Sequence, residues 1–146
     1  MLQSNRHNIH RAYEETRNER IMLIFTENLF MLIFGHALAD FVLQPDAMGY
    51  GKNRNDKIHG KDHSLFPVWW YCLTTHSVIH GGVVYLITGN FLLGIIETVV
   101  HWFTDFAKCE GWIGMHHDQA IHISCKLVYC YFLMSQTQTL GIFQGI

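Results

Sequence analysis

Imidazole and carboxylate side chains recur four residues apart in four apolar segments of the chain. His36 and Asp40 form the first pair, and His76 and His80 form the second. The third segment carries Glu97, His101 and Asp105, and the fourth carries Asp118 and His122. Residues at i and i+4 lie on the same face of a helix, so each segment can present its polar side chains to one interior. Four such helices predict a metal site in the core of a helical bundle.

The types of these side chains indicate which metal ions the site suits. Imidazole and carboxylate groups together favour Zn, Mn or Fe, and no thiolate is required. We predict as metal ligands His36, Asp40, His76, His80, His101, Asp105, Asp118 and His122. This set is large enough for two ions, and two-metal sites activate water and clamp a phosphoryl or acyl group.

Further residues complete the predicted chemistry. Asp105 or Glu97 is expected to act as general base or metal bridge, and Lys52 to neutralise a leaving group. Gln44 and Lys52 follow Asp40 at the edge of the polar layer, where they could bind an anionic substrate headgroup. Lys126 lies in an apolar segment and would need a carboxylate partner or a path to water.

The elements that position these side chains are predicted to be transmembrane helices. No Asp, Glu, Lys or Arg occurs between Ser64 and Ile96, a run of 33 residues, or in the last 20 residues. A helix of about 20 apolar residues spans a bilayer. We predict spans at 21–43, 67–88, about 91–107 and about 113–134. A polar helical arm (1–20) precedes them, and a polar loop (44–66) separates the first two.

The predicted fold is therefore an all-α, four-span transmembrane bundle in one domain, residues 21–146. In an up-and-down arrangement, six of the predicted ligands fall roughly 3–14 Å below the same membrane face, at about 1.5 Å per residue. A short Thr88-Gly89-Asn90 turn predicts an antiparallel hairpin of spans two and three. The alternative is a soluble all-α bundle with unusually apolar helices.

Composition supports the membrane interpretation and excludes other classes. Charged residues make up 15% of the chain and hydrophobic residues 49%, whereas soluble domains carry about 25% charged residues. The net charge of -2 provides no basic field, so a nucleic-acid partner is not expected. The four cysteines show no C-x-x-C spacing, which favours free thiols over a disulfide framework.

The ordered motifs HALADFVLQPDAMGYGK (36–52), HSVIH (76–80), HWFTDFAK (101–108) and DQAIH (118–122) extend across all four spans. Taken together, they resemble an uncharacterised family of small bacterial and phage inner-membrane proteins. More loosely, the chain is similar to membrane-bound metal-dependent hydrolases. The family pattern would mark His36, Asp40, Gln44, Lys52, His76, His80, His101, Asp105, Asp118 and His122. The resemblance implies a multi-pass protein of the inner (cytoplasmic) membrane.

The predicted function is metal-dependent hydrolysis of a membrane lipid, a lipid-linked substrate or a phosphorylated substrate. Three alternatives remain open: a di-iron-type membrane oxidase or hydroxylase, a non-enzymatic transporter of metal ions or protons, and a phage envelope protein that excludes superinfection. Four short spans leave little room to enclose a lipid, so a homo-oligomer is a further expectation.

Overall fold

The computed structural model describes the backbone of residues 2–56 and 68–143 and the side chains of residues 6–56 and 68–136. Within these ranges the chain is helical and contains no strand, so the predicted all-α class is confirmed there. The five α-helices of the described ranges are α1 (Leu2–Ala37), α2 (Asp46–Gly51), α3 (Trp69–Thr88), α4 (Phe91–Cys109) and α5 (Met115–Phe143).

The four long helices form a bundle. α1 contacts α3 and α5, and α4 contacts the same two helices. The predicted arm (1–20) and first span (21–43) are one helix, since α1 runs without interruption from Leu2 to Ala37. A π-helical segment, Leu38–Val42, continues it, and Leu43 N donates to Leu38 O at 2.9 Å. The predicted span therefore ends in π geometry, which recurs at functional sites.

The predicted loop 44–66 requires a correction, because its first part folds as α2. Pro45 precedes this helix with φ -66° and ψ 155°, and Asp46 places a carboxylate in the first turn. A carboxylate in the first turn stabilises a helix start through the helix dipole. A side-chain carbon added at Gly51 would lie 2.9 Å from Cys72 Sγ, so α2 packs closely against α3. Residues 57–66, the last part of the predicted loop, lie outside the described ranges.

α3 and α4 form the predicted antiparallel hairpin. Gly89 ends α3 in the left-handed region at φ 64°, and the Asn90 side chain accepts a hydrogen bond from Leu93 N at 3.2 Å. Tyr85 packs near Gly94, whereas Thr74, further back along α3, accepts a hydrogen bond from Trp102 Nε1 at 3.2 Å. Residues earlier in α3 thus contact residues later in α4, as an antiparallel pair requires.

Side-chain burial in the bundle reverses the usual pattern of a water-soluble protein. Twelve of the described buried residues are polar or charged and nine are hydrophobic. An apolar cluster is centred on Leu32, Val84, Leu93 and Tyr129. Many large apolar side chains are exposed instead, including Phe30, Leu86 and Phe103, which are 67%, 81% and 63% exposed. All four cysteines are free thiols, as expected.

One helical stretch in the described residues, Arg6–Val42, is long and apolar enough to cross a membrane. α3, α4 and α5 do not meet the same criterion. α3 carries two histidines among its apolar residues, and α4 and α5 carry charged side chains as well. The four-span arrangement is thus not confirmed by composition and length. α5 also extends to Phe143, beyond the predicted end of the fourth span at 134.

Candidate metal centre

Five histidine rings meet in the interior of the bundle. They come from all four long helices and are at most 4% exposed. His101 of α4 lies at the centre, with its ring centroid 3.6 Å from that of His80 and 4.2 Å from that of His122. The His76 and His36 ring centroids lie 4.9 Å and 6.0 Å from it. The structure therefore brings together the histidines predicted from helical spacing.

Asp40 of the π-helical segment provides a carboxylate to this cluster. Its Oδ1 lies 3.1 Å from His80 Nε2, 3.2 Å from His76 Nε2 and 4.0 Å from His101 Nε2. Asp40, His76, His80 and His101 each offer one ligand atom, and these atoms lie within 4.8 Å of one another. Three imidazoles and one carboxylate are a ligand set suited to Zn, Mn or Fe. We call these four residues the Asp40 quartet.

Two other groups of side chains could also hold a metal ion. One contains His36, His80, Glu97 and His101, and the other contains His101, Asp105 and His122. His101 belongs to all three groups, so they share one cluster. Asp118 contacts His122 Nε2 at 3.5 Å and borders the cluster. All eight predicted metal ligands therefore lie in or beside it.

Several ring nitrogens of the cluster have no hydrogen-bond partner among the described residues. These buried, unpartnered atoms are both ring nitrogens of His76, His101 and His122, and Nδ1 of His36. A buried polar atom without a partner costs about 1–3 kcal/mol. The donor set therefore fits a metal ion, which would use the free lone pairs of these imidazoles.

Two lysines border the cluster at the end nearest α2. Lys52 Nζ donates to Asp105 Oδ2 at 2.5 Å and to Gln44 Oε1 at 2.9 Å. Lys108 Nζ donates to Asp105 Oδ1 and, at 2.9 Å, to Asp118 Oδ2. The predicted substrate-binding residues Gln44 and Lys52 thus lie beside the predicted ligands, joined to them by an ion pair.

Glu97 lies at the opposite end of the cluster. Its Oε1 accepts a hydrogen bond from Lys126 Nζ, so the carboxylate partner expected for Lys126 is Glu97. Both side chains are at most 1% exposed. Glu97 Oε1 also lies 3.7 Å from His101 Nδ1. The carboxylate faces the ring edge opposite Asp40.

Two site residues were not predicted from the sequence. Lys108 lies three residues after Asp105, and this spacing was a signal for an ion pair. Gln119 follows Asp118 in the DQAIH motif, and its Nε2 donates to Asp40 Oδ2 at 2.9 Å and to Asp118 Oδ2 at 3.2 Å. Gln119 therefore joins α5 to the carboxylate of the quartet.

The segment after α2 is attached to the end of α4 by a surface ion pair. Arg54 donates to both carboxylate oxygens of Glu110, at 2.7 Å and 2.8 Å. Asn55 Nδ2 donates to the same carboxylate at 3.2 Å. Hydrogen bonding to Arg54 holds the pKa of Glu110 below its usual value.

Comparison with known proteins yields a family but no function. The chain matches no curated protein and no solved structure. The resemblance to membrane-bound metal-dependent hydrolases therefore stays a prediction. One family model matches residues 28–144, which include every member of the cluster. The chain accordingly belongs to the family described as Protein of unknown function (DUF3307).

Proposed function

We propose that this protein is a multi-pass membrane protein that binds one divalent metal ion at the Asp40 quartet. Its function would be metal-dependent hydrolysis of a lipid-linked or phosphorylated substrate. The observation that carries the proposal is the quartet itself, in which four potential ligand atoms lie within 4.8 Å in a buried site. Their side chains come from the π-helical segment, α3 and α4, so the folded bundle assembles the site.

The membrane location is supported by where apolar and polar side chains lie. Phe103 on α4 and Val128 on α5 are each 63% exposed, whereas His101 and Asp118 are fully buried. Ionisable groups in membrane helices face the bundle interior and mark functional sites. α3 contains 20 residues, which gives a length of about 30 Å, the thickness of the hydrocarbon core.

The charges of the cluster favour a single divalent ion. The site contains four buried or nearly buried carboxylates and three ammonium groups. The carboxylates are those of Asp40, Glu97, Asp105 and Asp118, and the ammonium groups are those of Lys52, Lys108 and Lys126. With neutral imidazoles the formal charge is -1. One divalent ion changes it to +1, and a second would give +3 in a site where unpaired charge is costly. The proposal therefore reduces the two ions suggested by the number of ligands to one.

The roles of the chain's own residues follow from their positions. A divalent ion at the quartet would polarise a phosphoryl or acyl oxygen and acidify water. Asp105 Oδ2 lies 3.5 Å from His76 Nε2, and the proposal keeps Asp105 as the general base although both of its oxygens also accept hydrogen bonds from lysines. Lys52, on the outer side of Asp105, is placed to balance charge on a leaving group.

Metal content tests the proposal. We expect about one equivalent of Zn, Mn or Fe in detergent-purified protein by elemental mass spectrometry. A His76→Ala, His80→Ala double variant should lose it. His117→Ala is the matched control, because His117 is exposed and belongs to none of the three ligand groups. Wild-type protein without metal after metal-replete purification, or equal content in the double variant, would contradict the site.

The same samples test the chemistry. Hydrolysis of a phosphomonoester or lipid-linked substrate should stop on chelation and return with the metal. Full hydrolytic activity in protein from which the metal has been removed would rule out a metal-dependent hydrolase. Bound iron with an oxo-bridge absorption band would instead favour the oxidative alternative.

Transport is the second candidate, and one observation favours it. Buried polar groups continue past the quartet from His101 to Glu97 and Lys126. Such a series could conduct protons or metal ions. Metal-dependent flux in proteoliposomes without turnover of any lipid would establish transport in place of hydrolysis.

A further inference from the structure

A cavity of about 320 Å³, lined by both polar and apolar side chains, lies beside the cluster, between α2, the start of α5 and the end of α4. Its walls include Gln44, Tyr50, Lys52 and Lys108. Both lysines contact Asp105, and Asp105 Oδ2 lies 3.5 Å from His76 of the quartet. Asp105 therefore lies between the two lysines of the cavity wall and a ligand of the quartet, His76.

The cavity walls retain unused hydrogen-bond donors. An ammonium group has three N–H donors. Among the described residues, Lys52 uses two of them, on Asp105 and Gln44, and Lys108 uses two, on Asp105 and Asp118. The Gln44 amide accepts from Lys52 through its oxygen, which leaves its NH₂ group to donate.

Gly49 gives the Gln44 amide its space. A side-chain carbon at this position would lie 2.9 Å from Gln44 Nε2. The absence of a side chain at Gly49 thus allows the amide to pack against α2 beside Lys52. Asp46 is the acidic side chain of the cavity wall, and it is exposed to solvent, where its charge is screened.

The charge balance indicates what the cavity would bind. The metal-loaded cluster proposed above carries a formal charge of +1, and the two cavity lysines belong to it. An oxyanion in the cavity would compensate this charge. Charge-assisted hydrogen bonds from lysine to phosphate are among the stronger ones in proteins.

We propose that this cavity is a binding site for the phosphate-monoester group of the substrate, with Lys108, Lys52 and Gln44 as its donors. The inference rests on the proposed function and specifies its substrate class. Lys108 contributes both the charge and the link between Asp105 and Asp118. The sequence interpretation assigned headgroup binding to Gln44 and Lys52 alone.

Calorimetric titration of inorganic phosphate into Mn²⁺-loaded, desalted protein in detergent tests the site. We expect Lys108→Gln to weaken phosphate binding about tenfold or more, as loss of a charged hydrogen bond implies. Gln44→Leu, which leaves every ion pair in place, should weaken it severalfold. Arg54→Gln is the control, because Arg54 is a nearby cation that pairs with Glu110 outside the cavity wall. Manganese content is measured on each sample.

Each outcome separates this inference from the proposed function. The phosphate site is overturned, and the metal site is not, by either of two results. One is metal uptake without phosphate binding, and the other is wild-type phosphate affinity in both Lys108→Gln and Gln44→Leu. A protein that takes up no metal overturns the proposed function and, with it, the charge argument for the cavity.

A second titration distinguishes the source of the phosphate. Dihexanoyl phosphatidic acid has a phosphate-monoester headgroup, and dihexanoyl phosphatidylcholine has none and is the control. Tighter binding of phosphatidic acid than of inorganic phosphate assigns the group to a lipid. Equal binding assigns it to a soluble phosphoester. Binding of phosphatidylcholine as tight as that of phosphatidic acid would contradict recognition of a monoester.

Discussion

At the scale of single residues, His101 is the side chain that the rest of the site orients. Its Nε2 faces Asp40 at 4.0 Å and Asp105 at 3.7 Å, and its Nδ1 faces Glu97 at 3.7 Å. Carboxylates on the far nitrogen of a metal-bound histidine fix the ring and its tautomer. We therefore expect Glu97 to act through His101 as a positioning residue, not as the general base suggested by the sequence.

Glu97→Gln tests this role through metal affinity. We expect affinity to fall about 10–100-fold, the usual effect of losing such an outer carboxylate. The same change leaves Lys126 buried and unpaired, which costs about 3–5 kcal/mol of stability. Competition with a fluorescent chelator measures affinity, and thermal melting in detergent measures stability.

The double variant Glu97→Gln, Lys126→Met separates the two effects. Removing the unpaired ammonium should restore much of the stability while metal affinity stays low. Recovery of both quantities together would show that Glu97 only neutralises Lys126, and the positioning role would be wrong.

At the scale of elements, the α3–α4 hairpin depends on a close approach of two glycines. A side-chain carbon added at Gly81 would lie 2.5 Å from the Gly94 carbonyl oxygen, which belongs to the backbone and cannot move alone. His80 and Glu97, from the two helices, lie close to this contact in sequence. The spacing of α3 and α4 therefore controls how the histidines of the quartet meet.

Gly81→Ala should destabilise the bundle by about 1–3 kcal/mol, the usual cost of overpacking. Gly82→Ala is the matched control, because nothing lies within 4 Å of an added carbon there. In an exposed helical position alanine is about 1 kcal/mol better than glycine, so the control should be neutral or slightly more stable. Thermal melting in detergent measures both. Equal melting of the two variants would contradict the close contact.

At the scale of the whole molecule, the distribution of polarity determines which solvent the bundle suits. Most of the described buried side chains are polar, and large apolar side chains such as Phe30, Phe34 and Leu86 are exposed. Exposure of these apolar surfaces to water costs free energy, whereas contact with lipid chains does not. The fold is thus consistent with burial in a bilayer, as the proposed function requires.

A charged substitution on this outer surface tests the solvent directly. Val99 is 49% exposed at the middle of α4, and Val99→Arg should cost about 3 kcal/mol in a bilayer. Tyr13→Arg is the control, since Tyr13 is 60% exposed in the polar first half of α1. We expect Val99→Arg to lower the fraction of protein that resists carbonate extraction from membranes. Wild-type protein that dissolves without detergent would contradict the membrane location.

The residues that form the site were predictable from their spacing along the chain. The helical period places residues four apart on one face. The sequence alone therefore indicated that His36 and Asp40, and likewise His76 and His80, lie together. The helices were predicted within a few residues at most ends, because Gly89 and Asn90 are local stop and start signals. These features depend on neighbours in the chain.

Which of these groups meet became clear only from the packing of the helices. α2 and the π-helical segment pack against α3, and these contacts join parts of the chain that are distant in sequence. Lys52 and Asp105 are 53 residues apart in sequence, and Lys126 and Glu97 are 29 apart. A buried charge requires a partner, but the sequence does not say which of several carboxylates will be within reach. Only the crossing of the helices selects the partner, because ion pairing depends on distances between side chains on different elements.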